Sequence, residues 1–345
     1  MKKKITAVLA MMLSTLMVTA CSASNTKPSF YPNWQSNTLK ETKSTTETLV
    51  YDVTFDATSF LKQAYFSVEY CGKDNATPGT YTTTLESLDN GTYKYTTDLS
   101  VPVTFTMTSD NSVFAEFTDS VHTETIFKQA GSYLQPISSL KQVHCYSARN
   151  VAAEKLEDTY TEYHYEFLTT YNDNLTEGKL VRTDKTSDPR TLLSVSKYPD
   201  GTAKSTFEID QKKNLYLDNE QLIFALRTLT NKALASSHTF NVYNASMLAM
   251  EKVTTSHVAD AKTSFEFSVN GGEVASHTID HTKVTMKING KNATLSQELW
   301  YAQTTNSTVN TYRNVLLQMT TEIHFGIGSL TYKLRSANFS EAISI

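Results

Sequence analysis

Basic clusters are scarce in this chain, and their scarcity argues against nucleic-acid-binding proteins and against proteins that bind membranes through a polybasic surface. After residue 4 no run of Lys or Arg reaches three residues, and Trp occurs only twice. Three of the 31 basic residues are Lys2, Lys3 and Lys4, and the remaining 28 are outnumbered by 35 acidic residues. Nucleic-acid binding requires a basic footprint, and a polybasic membrane-binding surface requires clustered Lys and Arg. The sequence therefore predicts no nucleic-acid partner.

Long apolar runs are also lacking after the N-terminus. Ile5–Val18 is almost wholly apolar, but at about 14 residues it is shorter than the roughly 20 residues that span a bilayer as a helix. A positive segment precedes it and small residues follow it, which is typical of an export signal. We therefore interpret residues 1–20 as a signal peptide rather than a permanent transmembrane anchor.

The export signal ends in Val18-Thr19-Ala20-Cys21, which resembles the lipobox of bacterial lipoproteins. In that family the cysteine thiol receives a diacylglycerol and the chain is cut just before it. The resemblance implies cleavage between Ala20 and Cys21, lipid (diacylglycerol and palmitate-like chains) on Cys21, and a location on the extracytoplasmic side of the cell membrane. Several acyl chains hold stably, since each buried methylene contributes about 0.8 kcal/mol. The alternative is a coincidental cysteine beside an ordinary cleavage site.

Cysteine is scarce as well, and only Cys71 and Cys145 follow Cys21. In an oxidising compartment the two could form a disulfide, which would stabilise the fold by about 4 kcal/mol in the chain-entropy model. Equally, they could be two separate buried thiols, because free Cys packs like a small hydrophobe. Two cysteines alone cannot make a four-ligand metal site. No cofactor is predicted.

Composition divides the predicted mature chain into two parts. Residues 21–47 are rich in Ser, Thr, Asn and Lys and have too little apolar surface to fold by themselves. We interpret them as a flexible tether, which would reach about 30 Å as a random coil. No second linker is visible, so residues 48–345 are predicted to form a single β-rich domain.

Alternation with a period of two residues dominates from residue 48 onward and predicts strands. In one run Tyr163, Tyr165 and Phe167 alternate with Glu162, His164 and Glu166. The same pattern recurs at Leu49–Phe55, Phe265–Val269, Val284–Ile288 and Leu330–Leu334. Strands with one apolar and one polar side are typical of antiparallel sheets in which one face is exposed to solvent. We predict a mainly β fold: a large curved antiparallel sheet, half-barrel or barrel-like, with one or few covering helices.

One segment has helical spacing. Asp218-Asn219-Glu220-Gln221 resembles a capping box, and Leu222, Ile223, Leu226 and Leu229 follow at helical intervals. The pattern predicts a helix over about 219–231. Its apolar stripe must cover something apolar, and the concave face of the sheet is the candidate.

The order of these segments resembles a family of secreted β-rich domains of unknown function, related to the LolA and LolB lipoprotein-carrier fold. The resemblance covers most of residues 48–339. It is carried by Leu49–Val53, Thr118-Asp119-Ser120, Ser132–Ile137, the segment Asp218–Leu229, Ser237–Tyr243 and Phe325–Leu334. It implies a curved sheet around an apolar cavity that holds a lipid-like ligand. It carries over no catalytic residues.

The sequence contains few motifs that indicate a catalytic or metal-binding site. His277-Thr278-Ile279-Asp280-His281 is the most metal-like string, but strand residues four apart lie on the order of 13 Å apart, so we predict solvated strand histidines and no metal site. Gly-x-Ser-x-Gly is absent, and Gly326-Ile327-Gly328 lacks the rest of a phosphate-binding loop. The sequence predicts a protein that is not an enzyme.

Tyrosine is the most numerous aromatic residue, at 19 of 345. Its apolar ring and polar tip suit the rim of a binding site, so Tyr163, Tyr165 and Phe167 are the candidate ligand-facing residues, with ordinary core packing as the alternative. Two functions remain open. The first is a lipid-anchored envelope lipoprotein that binds an apolar or amphipathic ligand inside the sheet. The second is a filled-core module that docks another envelope protein or a glycan.

Overall fold

The structure, a computed structural model, describes residues 28, 30, 46–57, 66–88, 91–131, 133–148, 160–186, 202–229, 231–245, 248–289, 294–303, 314–323 and 328–340. The predicted signal peptide, with Ala20, and the predicted lipidation site Cys21 lie outside these residues. The same holds for most of the predicted tether. The description that follows concerns the β-rich body.

The described chain is mainly β, as predicted. Its strands are β1 Thr46–Ala57, β2 Phe66–Tyr70, β3 Gly79–Ser87, β4 Thr92–Met107, β5 Val113–Ala130, β6 Tyr133–Ala148, β7 Tyr160–Tyr171, β8 Glu177–Asp184, β9 Thr202–Glu208, β10 Leu215–Tyr216, β11 His238–Asn244, β12 Ala249–Val269, β13 Ala275–Asn289, β14 Thr294–Ala302, β15 Leu316–Glu322 and β16 Gly328–Phe339. Two short helices, α1 Leu222–Arg227 and α2 Asn231–Leu234, lie between β10 and β11. Among the described residues, no helix has the length and apolar character needed to cross a membrane.

All sixteen strands belong to one sheet, in which most neighbours are antiparallel hairpin partners. The order is β10-β11-β12-β13-β14-β15-β16-β1-β3-β4-β5-β6-β7-β8-β9, with β2 pairing beside β3 on the edge of β4. The far end of β12 also pairs in parallel with β16, at Ser268–Ser336 and Val269–Ala337. Strands β12 to β16 therefore form a closed circuit, and the predicted curved, barrel-like sheet is confirmed.

The faces of the strands follow the alternation in the sequence. In β1 the buried positions alternate with half-buried ones, and Leu49, Tyr51 and Val53 point into the core. In the turn after β12, Asn270 and Gly271 both have positive φ, at 51° and 71°, which Asn and Gly tolerate best. These two residues therefore form the turn between β12 and β13.

The helical segment is shorter than the predicted helix over 219–231. Helix α1 begins at Leu222, after Gln221, and ends at Arg227. The Asp218 carboxylate accepts the backbone N–H of Glu220 at 2.8 Å, and its other oxygen accepts the hydroxyls of Ser139 and Tyr171. The predicted capping box is thus wrong, because contacts with β6 and β7 occupy this side chain.

The first residues of the body lie earlier in the chain than predicted. Phe30 is fully buried in the core, forms a β-bridge with Leu229 and contacts the Tyr133 ring. Strand β1 already begins at Thr46. The predicted flexible tether over 21–47 therefore needs correction, since Phe30 and residues 46–47 belong to the folded body.

Helix α1 fills the concave side of the sheet. Phe224 stacks on Tyr95, with ring centroids 4.9 Å apart, and contacts Phe127 at 5.4 Å. At the end of the helix the Arg227 guanidinium donates to both carboxylate oxygens of Glu47, at 2.5 and 2.7 Å. Both charged side chains are almost fully buried. This bidentate ion pair joins the helix to β1 inside the core.

The predicted ligand-facing residues are part of a second core cluster. Tyr165 and Phe167 are 6% and 3% exposed and pack with Leu180, Phe207 and other apolar side chains. The Arg182 guanidinium lies 4.6 Å from the centre of the Tyr165 ring. Tyr163 is half-buried beside them. Tyr165 and Phe167 therefore pack in the core, the alternative that the sequence left open, and Tyr165 is also among the residues that line the cleft described below. A ligand-facing role for the three residues stays a prediction.

The two cysteines of the body are separate thiols. Cys71 is buried and its thiol lies 3.3 Å from the carbonyl oxygen of Val53. The Cys145 thiol lies 3.8 Å from the carbonyl oxygen of Ser120. Of the two alternatives, the disulfide is not formed in this structure, and two separate thiols describe it.

Candidate functional site

A cleft on the outer, polar face of the sheet gathers several ionisable side chains. It has a volume of about 270 Å³, and its polar lining is Asp98, Ser120, His122, Gln142, His144, His164 and Lys185. We call it the histidine cleft. Antiparallel register explains its composition, because Asp98 lies opposite His122, Ser120 opposite His144, and His144 opposite His164. Four consecutive strands, β4 to β7, thus present one continuous polar surface.

One side of the histidine cleft is an exposed pair of side chains, His122 and Asp98. His122 Nδ1 lies 2.7 Å from Asp98 Oδ1, and the two side chains are 35% and 60% exposed. A pair this accessible contributes little to stability. An imidazole and a carboxylate are therefore accessible to solvent at this edge of the cleft.

The other side of the cleft is a cluster of His144, Glu162 and His164. His144 Nε2 lies 2.8 Å from Glu162 Oε1 and 3.0 Å from the Tyr146 hydroxyl. The His144 and His164 rings stack, with centroids 4.5 Å apart and an interplanar angle of 15°. One ligand atom from each of the three residues lies within 4.8 Å of the other two. Imidazole and carboxylate are the ligands that borderline transition metals use.

A buried carboxyl lies behind this cluster. Asp119 accepts the backbone N–H of Tyr146 at 2.8 Å. Burial raises the pKa of Asp119 to about 7, and the Tyr146 N–H and the charge on His144 offset only part of this effect. Burial, with the Asp119 charge next, raises the pKa of the Cys145 thiol to about 12. Cys145 is consequently a protonated structural thiol rather than a nucleophile.

The metal-like string found in the sequence is arranged differently. His281 is buried rather than solvated, so the prediction of a solvated histidine is wrong for this residue, and its Nε2 lies 2.9 Å from the Thr263 hydroxyl. His277 stacks on Phe267 and its Nε2 lies 3.1 Å from the carbonyl oxygen of that residue. Each ring therefore has its own partner on β12, and the two do not share a site.

The histidine cleft was missed by sequence reasoning, although part of its signal was visible. The alternation in β7 correctly places Glu162, His164 and Glu166 on the polar side of the strand. His144 and Tyr146 have the same two-residue spacing in β6. What the sequence does not show is the register that sets His144 opposite His164, so the cluster could not be assembled from one strand at a time.

Comparison with known proteins identifies no function for the histidine cleft. No known protein family matches the sequence, and no curated protein matches it either. One similar solved structure is a β-barrel-like protein of the domain of unknown function DUF1849 from Brucella abortus. The two chains share 10% sequence identity and superpose with a TM-score of 0.46. The match covers 86% of this chain and 98% of the Brucella protein. At this score the similarity bears on neither the cleft nor its residues.

Proposed function

We propose that this chain is a non-enzymatic, lipid-anchored extracytoplasmic lipoprotein whose body docks another envelope protein through the outer face of β5 to β8. The observation that carries the proposal is the filled concave side of the sheet. Helix α1 occupies it, and the buried Arg227–Glu47 pair lies there. A ligand inside the sheet would have to separate this pair, and leaving one buried charge unpaired costs about 3–5 kcal/mol. The packing thus favours a filled module over an apolar-ligand carrier.

The outer face of β5 to β8 has the composition of a docking surface. Next to the histidine cleft, Leu140, Leu168 and Val181 lie in register across β6, β7 and β8. Leu168 is 42% exposed. An aliphatic row beside groups that form hydrogen bonds is the arrangement of a protein interface, with an apolar centre and a polar rim. The row is aliphatic rather than aromatic, which favours a protein partner over a glycan.

Site-specific photo-crosslinking in the host membrane tests this surface. Leu168 is replaced by p-benzoylphenylalanine, and the matched control carries the same residue at Val274, which is 65% exposed on the turn before β13. We expect a discrete protein adduct from position 168 and none of that mass from position 274. Absence of an adduct at 168, or the same adducts at both positions, would refute the docking surface. A lipid that co-purifies in native mass spectrometry would instead restore the carrier function.

A further inference from the structure

We infer that His144, Glu162 and His164 form a binding site for one divalent transition-metal ion of the Zn²⁺ and Cu²⁺ class. This inference goes beyond the proposed function, because it requires neither the anchor nor a protein partner. The three side chains come from two hydrogen-bonded strands, with His144 directly opposite His164. Glu162 lies two residues before His164, and therefore on the same face. The backbone thus holds three ligands of the right chemistry on a rigid pair of strands.

The distances suit a site that closes around its ion. Zinc binds imidazole nitrogen and carboxylate oxygen at about 2.0–2.2 Å, which places tetrahedral ligand atoms roughly 3.3–3.5 Å apart. His144 Nε2 and Glu162 Oε1, at 2.8 Å, are already closer than this, and all three ligand atoms lie within 4.8 Å of one another. His144 and Glu162 need to separate by about 0.5–0.7 Å to reach this spacing, and His164 needs to approach. Because imidazole binds a metal through a lone pair in its ring plane, the stacked His144 and His164 rings must also turn out of their stack. Rotations of these half-buried side chains supply the movements.

The surroundings complete such a site. The Tyr146 hydroxyl, 3.0 Å from His144 Nε2, lies on the side of the imidazole that would face the ion and is placed to approach it. The buried carboxyl of Asp119, behind His144, accepts the backbone N–H of Tyr146. Hydrogen-bonded groups behind the ligands are a regular feature of metal sites. Three protein ligands leave a fourth position for water or a partner's side chain, and His144 and His164 both line the open cleft.

Binding of zinc to the full-length chain tests the inference. The protein is purified without a polyhistidine tag, stripped with chelator, and dialysed against about 10 µM free Zn²⁺, which fills a site of micromolar affinity. We expect one bound zinc per chain by elemental analysis. His144→Ala and His164→Ala should weaken binding at least tenfold in a calorimetric titration. Glu162→Gln keeps the shape of the side chain and should also weaken binding, because the charged ligand is lost.

Two histidine variants serve as matched controls. His122→Ala removes an imidazole from the same cleft, and His277→Ala removes one from β13; both should bind zinc as the wild type does. The inference is overturned if the wild type retains no zinc, if the ligand variants bind it unchanged, or if the controls lose as much affinity as the ligand variants. Circular dichroism confirms that each variant is folded, and Glu162→Gln keeps the test decisive if an alanine variant does not fold.

Discussion

At the scale of single residues, Asp119 couples the stability of the body to pH. Its carboxyl is buried behind the histidine cleft and its pKa is raised by burial to about 7, from an ordinary value of 3.8. Between these two values the folded chain binds the proton and the unfolded chain has already released it. Stability contributed by this group therefore falls as the pH rises through that window, and the penalty remains above it.

Replacing Asp119 by Asn removes this proton equilibrium and keeps an oxygen acceptor for the Tyr146 N–H. We expect Asp119→Asn to flatten the decline in stability between about pH 4 and 7 and to stabilise the protein at neutral pH, by at most about 4 kcal/mol. Urea unfolding at several pH values, with chelator present, measures the difference. The control is Asp98→Asn, which changes an exposed carboxyl. Parallel pH profiles for the wild type and Asp119→Asn would contradict the assignment.

At the scale of elements, α1 depends on its surroundings. Six residues form too short a helix to persist alone in water, so packing and polar contacts must hold it. Phe224 supplies the packing against Tyr95 and Phe127. The Tyr301 hydroxyl donates to the carbonyl oxygen of Ile223 at 2.9 Å, and Arg227 joins the helix to Glu47. The helix is thus part of the core rather than a cover laid upon it.

Phe224→Ala should therefore destabilise the whole body. Removing a buried aromatic side chain leaves a cavity and costs about 3–5 kcal/mol. Ile223→Ala is the matched control on the same helix, and it should cost less because Ile223 is only half-buried. Chemical denaturation of both variants gives the comparison. Equal losses for the two variants would show that α1 does not fill the core as described.

The elements also show how far sequence reasoning extends. Strand faces follow from local alternation, because a period of two residues assigns sides without knowledge of any neighbour. The limits of α1 do not follow from local pattern, because the Asp218 carboxylate accepts hydrogen bonds from Ser139 and Tyr171 of distant strands. The pairing of His144 with His164 depends on the register of β6 against β7. Local pattern therefore predicted the sheet, and tertiary contacts decided the helix and the cleft.

At the scale of the whole molecule, Phe30 sets how far the body stands from the predicted anchor. Phe30 is buried in the core, so only eight residues, 22–29, separate it from Cys21, a distance of nine steps along the chain. A fully extended chain of that length spans about 30 Å at most, and a flexible one about 17 Å. If Cys21 carries lipid, the body lies close to the membrane surface rather than on a long tether, and its partner must reach the outer face there.

The anchor itself is tested by Cys21→Ala. We expect this variant either to remain as an unprocessed precursor or to leave the membrane fraction, since no thiol is present to receive lipid. Membrane fractionation and intact-mass analysis distinguish these results from the wild type, which should show a mass increase from lipid at the new N-terminus. Cys71→Ala is the control and should leave processing unchanged. Unaltered processing and attachment in Cys21→Ala would refute the lipoprotein prediction.

The pairing of β1 with β16 has a consequence for how the chain acquires its structure. The first strand and the last are neighbours in the sheet, and Thr46 and Ser340, 294 positions apart, are joined by hydrogen bonds. Synthesis delivers β1 before the other strands described here, so β1 is made long before its partner β16 emerges. Loop closure over such a separation is slow. Strand β1 therefore keeps one edge unpaired until β16 is made. A chaperone that shields this edge would have to stay bound to β1 longer than to any later strand.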